Sequence, residues 1–332
     1  MTTYKDAGVD IDAQDKAIGK IKSYVKNTRT KASISDVGNF GGLFDIGIAL
    51  KEMNINNPVL VSSSDGVGTK VKLASLTKKF HTVGQDLVNH CVNDILVQGA
   101  FPLYFNDYIA SSKLDPDETS EVIRGLTIAC KENNMALLGG EMAEMPGVYH
   151  KGHFDLAGFI VGVVDKSRII DGSKITNGDV IMGLPSNGLM TNGYSLAIKV
   201  FDEAGILNQK AEELMNIHPS FLNLIKPVLI NQPEIIKGMA HITGGGLVDN
   251  IPRILPENVD AKITKSSWEV PKLFLDIKKQ GNVPEDDMYR TFNMGIGFIV
   301  ITKKEDSNEI LNLEGSKVIG EIVSGNKKVI LE

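Results

Sequence analysis

The sequence predicts a two-domain protein of mixed α/β class, and three observations carry that expectation. Its 332 residues are 42% hydrophobic and 23% charged, enough chain for two cores at roughly 150 residues each. Short β-branched and aromatic runs alternate with segments of helical period. A polar, turn-rich stretch opening at Asp165, DKSRIIDGSKITNGD, separates two halves of similar length. The expected domains are residues 1–168 and 169–332.

Taken in order, Asp12 is a good N-cap, and Ala17, Ile18, Ile21 and Val25 give an amphipathic helix to about Thr28. A basic, polar arm over 26–31 and a loop through Gly38, Asn39, Phe40, Gly41 and Gly42 follow. Strands are expected at 59–63, 102–109, 135–138 and 154–164, with helices over 83–97 and 117–133 between them. The second half opens with a strand at 180–184. It continues with helices near 193–201 and 219–231 and closes with strands at 297–301 and near the C-terminus.

Composition narrows the function. A net charge of −6 and a pI near 5.6 argue against a nucleic-acid or membrane-surface binder, whose footprint is basic. Cys91 and Cys130 have neither disulfide-framework nor zinc spacing, which points to a reducing compartment. The charged start MTTYKDAGVDIDAQDK does not read as a signal peptide, and no apolar run reaches the roughly 18 residues of a membrane helix. A cytoplasmic enzyme of small-molecule chemistry is the expectation.

The stretch SSSDGVGTKVKLA, from Ser62, puts Asp65, Gly66, Gly68, Thr69 and Lys70 directly after an apolar strand. Glycines let backbone N–H groups approach an anion. A P-loop is excluded because Thr69 precedes Lys70 and no glycine flanks the lysine, and a dinucleotide fingerprint fails because position 71 is Val71. Across the helix at 83–97, Leu87, Val88, Cys91, Val92, Ile95 and Leu96 share one arc, and Asp86, Asn89, His90, Asn93 and Asp94 the other. That polar arc lacks Lys, Arg and Glu. Short carboxylates on a rigid element suit oxygen ligation of a hard cation such as Mg²⁺, and a buried hydrogen-bonding face is the alternative. LLGGEMAEMPG, from Leu137, repeats the order strand, glycines, acids, so Asp65, Asp94 and Glu141 are expected to converge beyond strand ends. SNGLMTNGYSL and HITGGGLVDNIP each place glycines before a helix, as anion sites do. His150 and His153 have too few partners for zinc and read as a surface loop.

Together, YKDAGVDID, DGVGTK, CVNDILVQGA, GGEMAEMPGVYH, GSKITNGD, NGYSL, HITGGG and MYRTFNMGIG closely resemble the phosphoribosylformylglycinamidine cyclo-ligase family, the aminoimidazole ribonucleotide synthetases, over essentially the whole chain. The resemblance implies a two-domain ATP-binding fold and a homodimer in which strands of both N-terminal domains close one barrel. It implies the ATP-dependent conversion of formylglycinamidine ribonucleotide to aminoimidazole ribonucleotide, ADP and phosphate, in purine biosynthesis. Carried over by position, Asp65, Asp94 and Glu141 become Mg²⁺ and phosphate ligands, with Asp94 and Lys70 catalytic. Gly66, Gly68, Thr69 and Lys70 contact phosphates, Lys22 lies on the nucleotide side, and Gly41 and Gly42 form a loop over the nucleotide. Asn192, Gly193, Gly244, Gly245 and Gly246 hold the ribonucleotide.

One position departs from the pattern. The family usually reads Gly-Leu/Pro-His-Ser-Asn-Gly, and here Met190 stands where the histidine is expected. A methionine neither donates a hydrogen bond nor carries a proton. The rivals are other enzymes of the same superfamily, which should show a reactive cysteine in the N-terminal loop or at the C-terminus, and a silent nucleotide-binding protein.

Overall fold

The computed structural model describes residues 11–35 and 40–332. Gly38, Asn39 and residues 4–10 of the YKDAGVDID motif lie outside the described residues. The chain forms two compact units, one from residues up to 95 with 100–167, the other from 96–99 with 168–332.

The first unit contains α1 (Ile11–Lys26), α2 (Ile46–Met53), β1 (Pro58–Gly66), α3 (Lys70–Thr77), α4 (Phe80–Leu96), β2 (Phe101–Ser111), α5 (Pro116–Glu132), β3 (Ala136–Glu144) and β4 (Phe154–Asp165). Its sheet has the order β1-β4-β2-β3. β4 runs antiparallel to both neighbours, and β2 and β3 are parallel, so β1, β2 and β3 share one direction. One sheet face is covered by α4, whose Leu87 meets Phe105 over Gly158 and whose Ile95 lies over Gly162. Val83, Leu87, Val88, Cys91, Val92 and Ile95 of α4 are fully buried, each worth roughly 1.5–3 kcal/mol for the larger side chains. On the other face Ala32, Ala49, Leu103 and Val163 form a core with Phe44, Leu50 and Met53 packed against it. α4 and α5 cross closely: a Cβ on Gly84 would sit 2.2 Å from the Val122 carbonyl, and one on Gly125 2.0 Å from that of His81.

α5 starts as its sequence dictates, with Asp115 accepting from the N–H groups of Asp117 and Glu118, and Pro116 in the first turn. β3 departs from expectation. It does not turn at the glycines but runs through Gly139 and Gly140 to Glu144, so Glu141 lies within a strand. The neighbouring strand explains this: a Cβ on Gly140 would lie 2.3 Å from Asp107 Oδ1. The glycine gives the buried carboxyl its space.

Asp107 is 5% exposed and its Oδ2 has no hydrogen-bond partner. Burial, with the charge of Glu141 adding to it, pushes its pKa up to about 7. A carboxyl raised in the folded state contributes stability below its unfolded pKa, near 3.9, and that contribution is lost as pH rises through the folded value. Between about pH 4 and 7, Asp107 therefore costs the fold up to ~1.4 kcal/mol per pH unit. Asp107→Asn is expected to flatten the decline of denaturation free energy from pH 5 to pH 8. Parallel profiles for the two proteins would show that Asp107 is ionised throughout.

The second unit comprises β5 (Val180–Pro185), α6 (Tyr194–Glu203), α7 (Leu207–Leu214), α8 (Leu222–Asn231), β6 (Gly238–His241), α9 (Gly246–Asn250), β7 (Val259–Ile263), α10 (Lys272–Gly281), α11 (Glu285–Thr291), β8 (Ile296–Thr302), α12 (Ser307–Leu311), β9 (Lys317–Ser324) and β10 (Val329–Leu331). The sheet order is β10-β7-β9-β5-β8-β6. β8, at Ile296–Thr302, is buried along its length, which is why its unbroken apolar run was legible as a strand. Several elements here, α7, β6, β7 and α9 to α12, are not among those expected from the sequence, although α10 carries a helical period in Leu273, Phe274 and Ile277.

Candidate active site

α4 builds the site in the first unit. Its polar arc is buried, with Asp86 and Asn93 at 0% exposure, Asn89 at 4% and His90 at 3%, and the arc divides by partner. Asn89 Oδ1 accepts from Asn133 Nδ2 at 3.0 Å, tying α4 to the end of α5. Asp86 pairs with Lys70 at 2.7 Å, both side chains fully enclosed. One helical turn on, His90 Nε2 donates to Asp65 Oδ2 at 2.8 Å and stands 3.7 Å from Asp94 Oδ2. Asp94 Oδ2 also accepts from Ser63 Oγ at 3.0 Å, and Asp65 Oδ1 from the Gly66 N–H at 2.6 Å.

The electrostatics follow from this clustering. Burial works against a charge on His90, but the hydrogen bond to Asp65 and the charges of Asp94, Asp65 and Asp86 outweigh it and raise its pKa. Burial likewise pushes Asp65 up, and His90 with the Gly66 N–H more than reverses this, leaving it below its ordinary value. The arrangement is a histidine held between two carboxylates, which favour its protonated form. Asp65 and Asp94 are 45% and 24% exposed, so the cluster opens to solvent on the carboxylate side. The ligand atoms of Asp65, His90 and Asp94 lie within 4.8 Å of one another.

Sequence reasoning placed His90 on the polar arc without giving it a role; its separation of four residues from Asp94 was the available signal. Glu141 is not drawn in. Asp65 is on β1 and Glu141 on β3, the two edges of the sheet, and Glu141 Oε1 accepts from the Met142 N–H instead. Convergence at strand ends required neighbouring strands, and β4 and β2 intervene. Lys70, expected to contact phosphate, is the first residue of α3 and turns inward to Asp86. Gly66, Gly68 and Thr69 form the turn between β1 and α3, Gly68 with φ +54°.

Lys22 lines a cleft with Lys26, Arg29, Ser33, Ser35 and Leu138, a basic pocket where β3 begins. Gly42 packs against Leu138, which a Cβ there would meet at 2.4 Å, while Gly41 has open space around it.

In the second unit the glycine loops are fixed by two asparagines that sequence reasoning missed. Asn293 donates to the carbonyls of Gly188 and Leu189 at 3.0 and 3.3 Å and accepts from Ser186 Oγ at 2.8 Å. Asn250 donates to the carbonyls of Thr243, Gly244 and Gly246. Gly193, φ +80°, caps α6, and a Cβ there would lie 2.3 Å from the Phe292 ring. Gly245 and Gly246, with φ +97° and +59°, start α9, a helix of five residues. So short a helix has little dipole to offer, and what the loop presents is backbone. Asn192 joins the loops, its Oδ1 3.1 Å from where a Cβ on Gly244 would stand. His150 and His153 sit in an exposed turn.

Among the described residues no helix is long and apolar enough to cross a membrane. Residues 50–164 match AIR synthase related protein, N-terminal domain, and residues 176–332 match the corresponding C-terminal domain. The chain is 46% identical to phosphoribosylformylglycinamidine cyclo-ligase of Alkaliphilus oremlandii over 99% of both chains. It is 50% identical to that of Carboxydothermus hydrogenoformans over 99% of this chain and 98% of the relative. Among solved structures, thiamine-monophosphate kinase from Stenotrophomonas maltophilia superposes with a TM-score of 0.66 at 15% identity, over 96% of both chains. The hydrogenase maturation protein HypE in complex with ATP does so with 0.68 at 16% identity, over 93% of this chain and 88% of that one. The latter two share the fold, whereas the near full-length sequence identity is specific: the chain belongs to the phosphoribosylformylglycinamidine cyclo-ligase family.

Proposed function

We infer that the protein is an ATP-dependent cyclo-ligase that closes the imidazole ring of aminoimidazole ribonucleotide from formylglycinamidine ribonucleotide, in purine biosynthesis. The observation that carries this reading is identity of 46–50% to cyclo-ligases along 99% of the chain. The amide oxygen of the substrate is a poor leaving group. Phosphorylated by ATP, it departs as phosphate when the amidine nitrogen attacks.

Asp65 and Asp94 fit a magnesium ion, being paired carboxylates on rigid elements with one side open. Asp65 and Asp94 would hold it, and it would supply charge neutralisation to phosphate oxygens. Ser63 and His90 orient the two carboxylates, and the backbone N–H groups of the Gly66–Thr69 turn receive the polyphosphate. Glu141, on β3, is kept as a further acidic group for phosphate or metal. Lys22, Lys26 and Arg29 supply positive charge at a second point of the first unit, and Gly41 and Gly42 form the adjoining loop. Asn192, Gly193, Gly244, Gly245 and Gly246 hold the ribonucleotide phosphate through backbone N–H groups. Lys70 serves by fixing α3 to α4. Buried thiols at Cys91 and Cys130 and a reaction that consumes ATP suit the cytoplasm.

The test is steady-state ADP release with and without formylglycinamidine ribonucleotide. Release that depends on the ribonucleotide and yields the cyclised product is expected; ribonucleotide-independent hydrolysis alone would refute the reading. The first unit also supports a homodimer. β1 is a sheet edge whose Leu60 is 62% exposed, and Phe159 on the adjoining β4 is 46% exposed, a combination that sheet proteins normally cover. Sedimentation at micromolar concentration should give twice the 36.0 kDa chain mass. A single species at the chain mass would exclude the dimer.

A further inference from the structure

Met190 is 1% exposed and adopts φ +66°. That left-handed backbone is uncommon outside glycine and is reached more readily by Asn, Asp and His than by an unbranched apolar residue. Its sulfur lies 2.8 Å from where a Cβ on Gly297 would stand, so the side chain is a space-filler against β8. The residue next to it leads to imidazole. Thr191 Oγ1 is 3.3 Å from His218 Nδ1, and His218 Nε2 is 3.0 Å from His241 Nε2. The rings are 5.0 Å apart, with His218 at 0% exposure and Thr191 and His241 at 6%. On the other side Asn192 Nδ2 donates to Thr191 Oγ1 at 3.3 Å. His241 ends β6, and only Ile242 and Thr243 separate it from the Gly244–Gly246 loop.

We propose that the His218–His241 pair, reached through Thr191, is the proton-holding group of the ribonucleotide site and takes the place of the imidazole missing at position 190. This rests on the cyclo-ligase reading above. Two Nε2 atoms at 3.0 Å require one N–H donor and one lone pair. With His218 Nε2 donating to His241, His218 Nδ1 accepts from the Thr191 hydroxyl, which accepts from Asn192, so one proton order runs along the whole row.

The same row moves a proton. As the ring closes, the amidine nitrogen forms its bond to the formyl carbon, the bond from that carbon to the phosphorylated oxygen breaks, and its electron pair leaves on phosphate. The N–H proton passes to Thr191 Oγ1 while the threonine's own proton moves to His218 Nδ1. His218 becomes an imidazolium whose Nε2–H still donates to neutral His241, which lowers the cost of burying the charge. Departing phosphate carries the proton away.

The test compares turnover of the intact protein with that of His218→Gln and Thr191→Val, each checked by circular dichroism and thermal melting. Both should lose about 10²-fold or more in kcat, the scale of proton transfer in catalysis, with KM for the ribonucleotide changed less than about threefold. Adding Met190→His to His218→Gln should recover at least about tenfold, which a merely structural role for His218 does not allow. If folded His218→Gln keeps kcat within threefold, or the double variant regains nothing, the proposal fails. If His218→Gln does not fold, Thr191→Val decides the matter alone by the same threshold. Absence of ribonucleotide-dependent ADP release in the unmodified protein would refute the cyclo-ligase reading itself, a separate result.

Discussion

Asp94→Asn is expected to lower turnover by about 10²–10³-fold, the range seen when one preorganised electrostatic group is removed from a reacting centre, while the protein stays folded. The substitution is close to isosteric. An asparagine carbonyl can still accept from Ser63 Oγ, now 3.0 Å from the carboxylate, so the local hydrogen bonding survives. What disappears is one of the two negative charges facing His90, and with it the affinity for a hard cation among phosphate oxygens. The side chain is one-quarter exposed, so losing its charge leaves no buried group unpaired and melting should shift little. Asp65→Asn should behave alike, since its carboxylate completes the same cluster. Steady-state ADP release with saturating ribonucleotide, beside a thermal melt, measures both quantities. Near-native turnover in a folded Asp94→Asn protein would remove Asp94 from the metal and phosphate ligands.

Part of this site was legible in the sequence. A helix with Asp86, Asn89, His90, Asn93 and Asp94 on one arc and no Lys, Arg or Glu among them cannot be a solvated face, and the arc is buried except at Asp94, which is one-quarter exposed. The partners of each residue were not legible, because they come from other elements. Asp86 and Asp94 look equivalent in sequence, yet one meets Lys70 and the other Ser63. The run through Gly139 and Gly140 read as a turn because glycine usually punctuates structure. It is strand because Asp107 of the adjacent strand occupies the space a side chain would need. Strand order has the same character: nothing local in β1 or β3 says that they end on opposite edges. Asn250 and Asn293 escaped notice since an asparagine that ties distant loop carbonyls looks like any loop asparagine until the loop is folded.

The Lys70–Asp86 pair supplies the second large effect. Lys70 stands in the turn that the sequence marks as a phosphate site, and a phosphate-binding lysine should be accessible and dispensable to the fold. In the structure both side chains are fully enclosed, 2.7 Å apart. Burial pushes the Lys70 pKa down, and the charge and hydrogen bond of Asp86 act against that. Removing one member of a buried pair leaves an uncompensated charge, at a cost of about 3–5 kcal/mol, whereas replacing both with apolar residues of similar size is often neutral. Lys70→Met and Asp86→Leu are therefore each expected to lower the denaturation free energy by that amount. Lys70→Met/Asp86→Leu should recover most of the loss, because the two substitutions are coupled. Urea denaturation of the three variants gives the cycle directly. If Lys70→Met instead keeps its stability and loses ATP-dependent turnover, the lysine works on phosphate after all and α3 must open to present it. Loss of stability in the singles, restored in the double with turnover retained, would assign the lysine of this glycine turn to holding α3 against α4, and leave phosphate binding there to backbone and metal ligands.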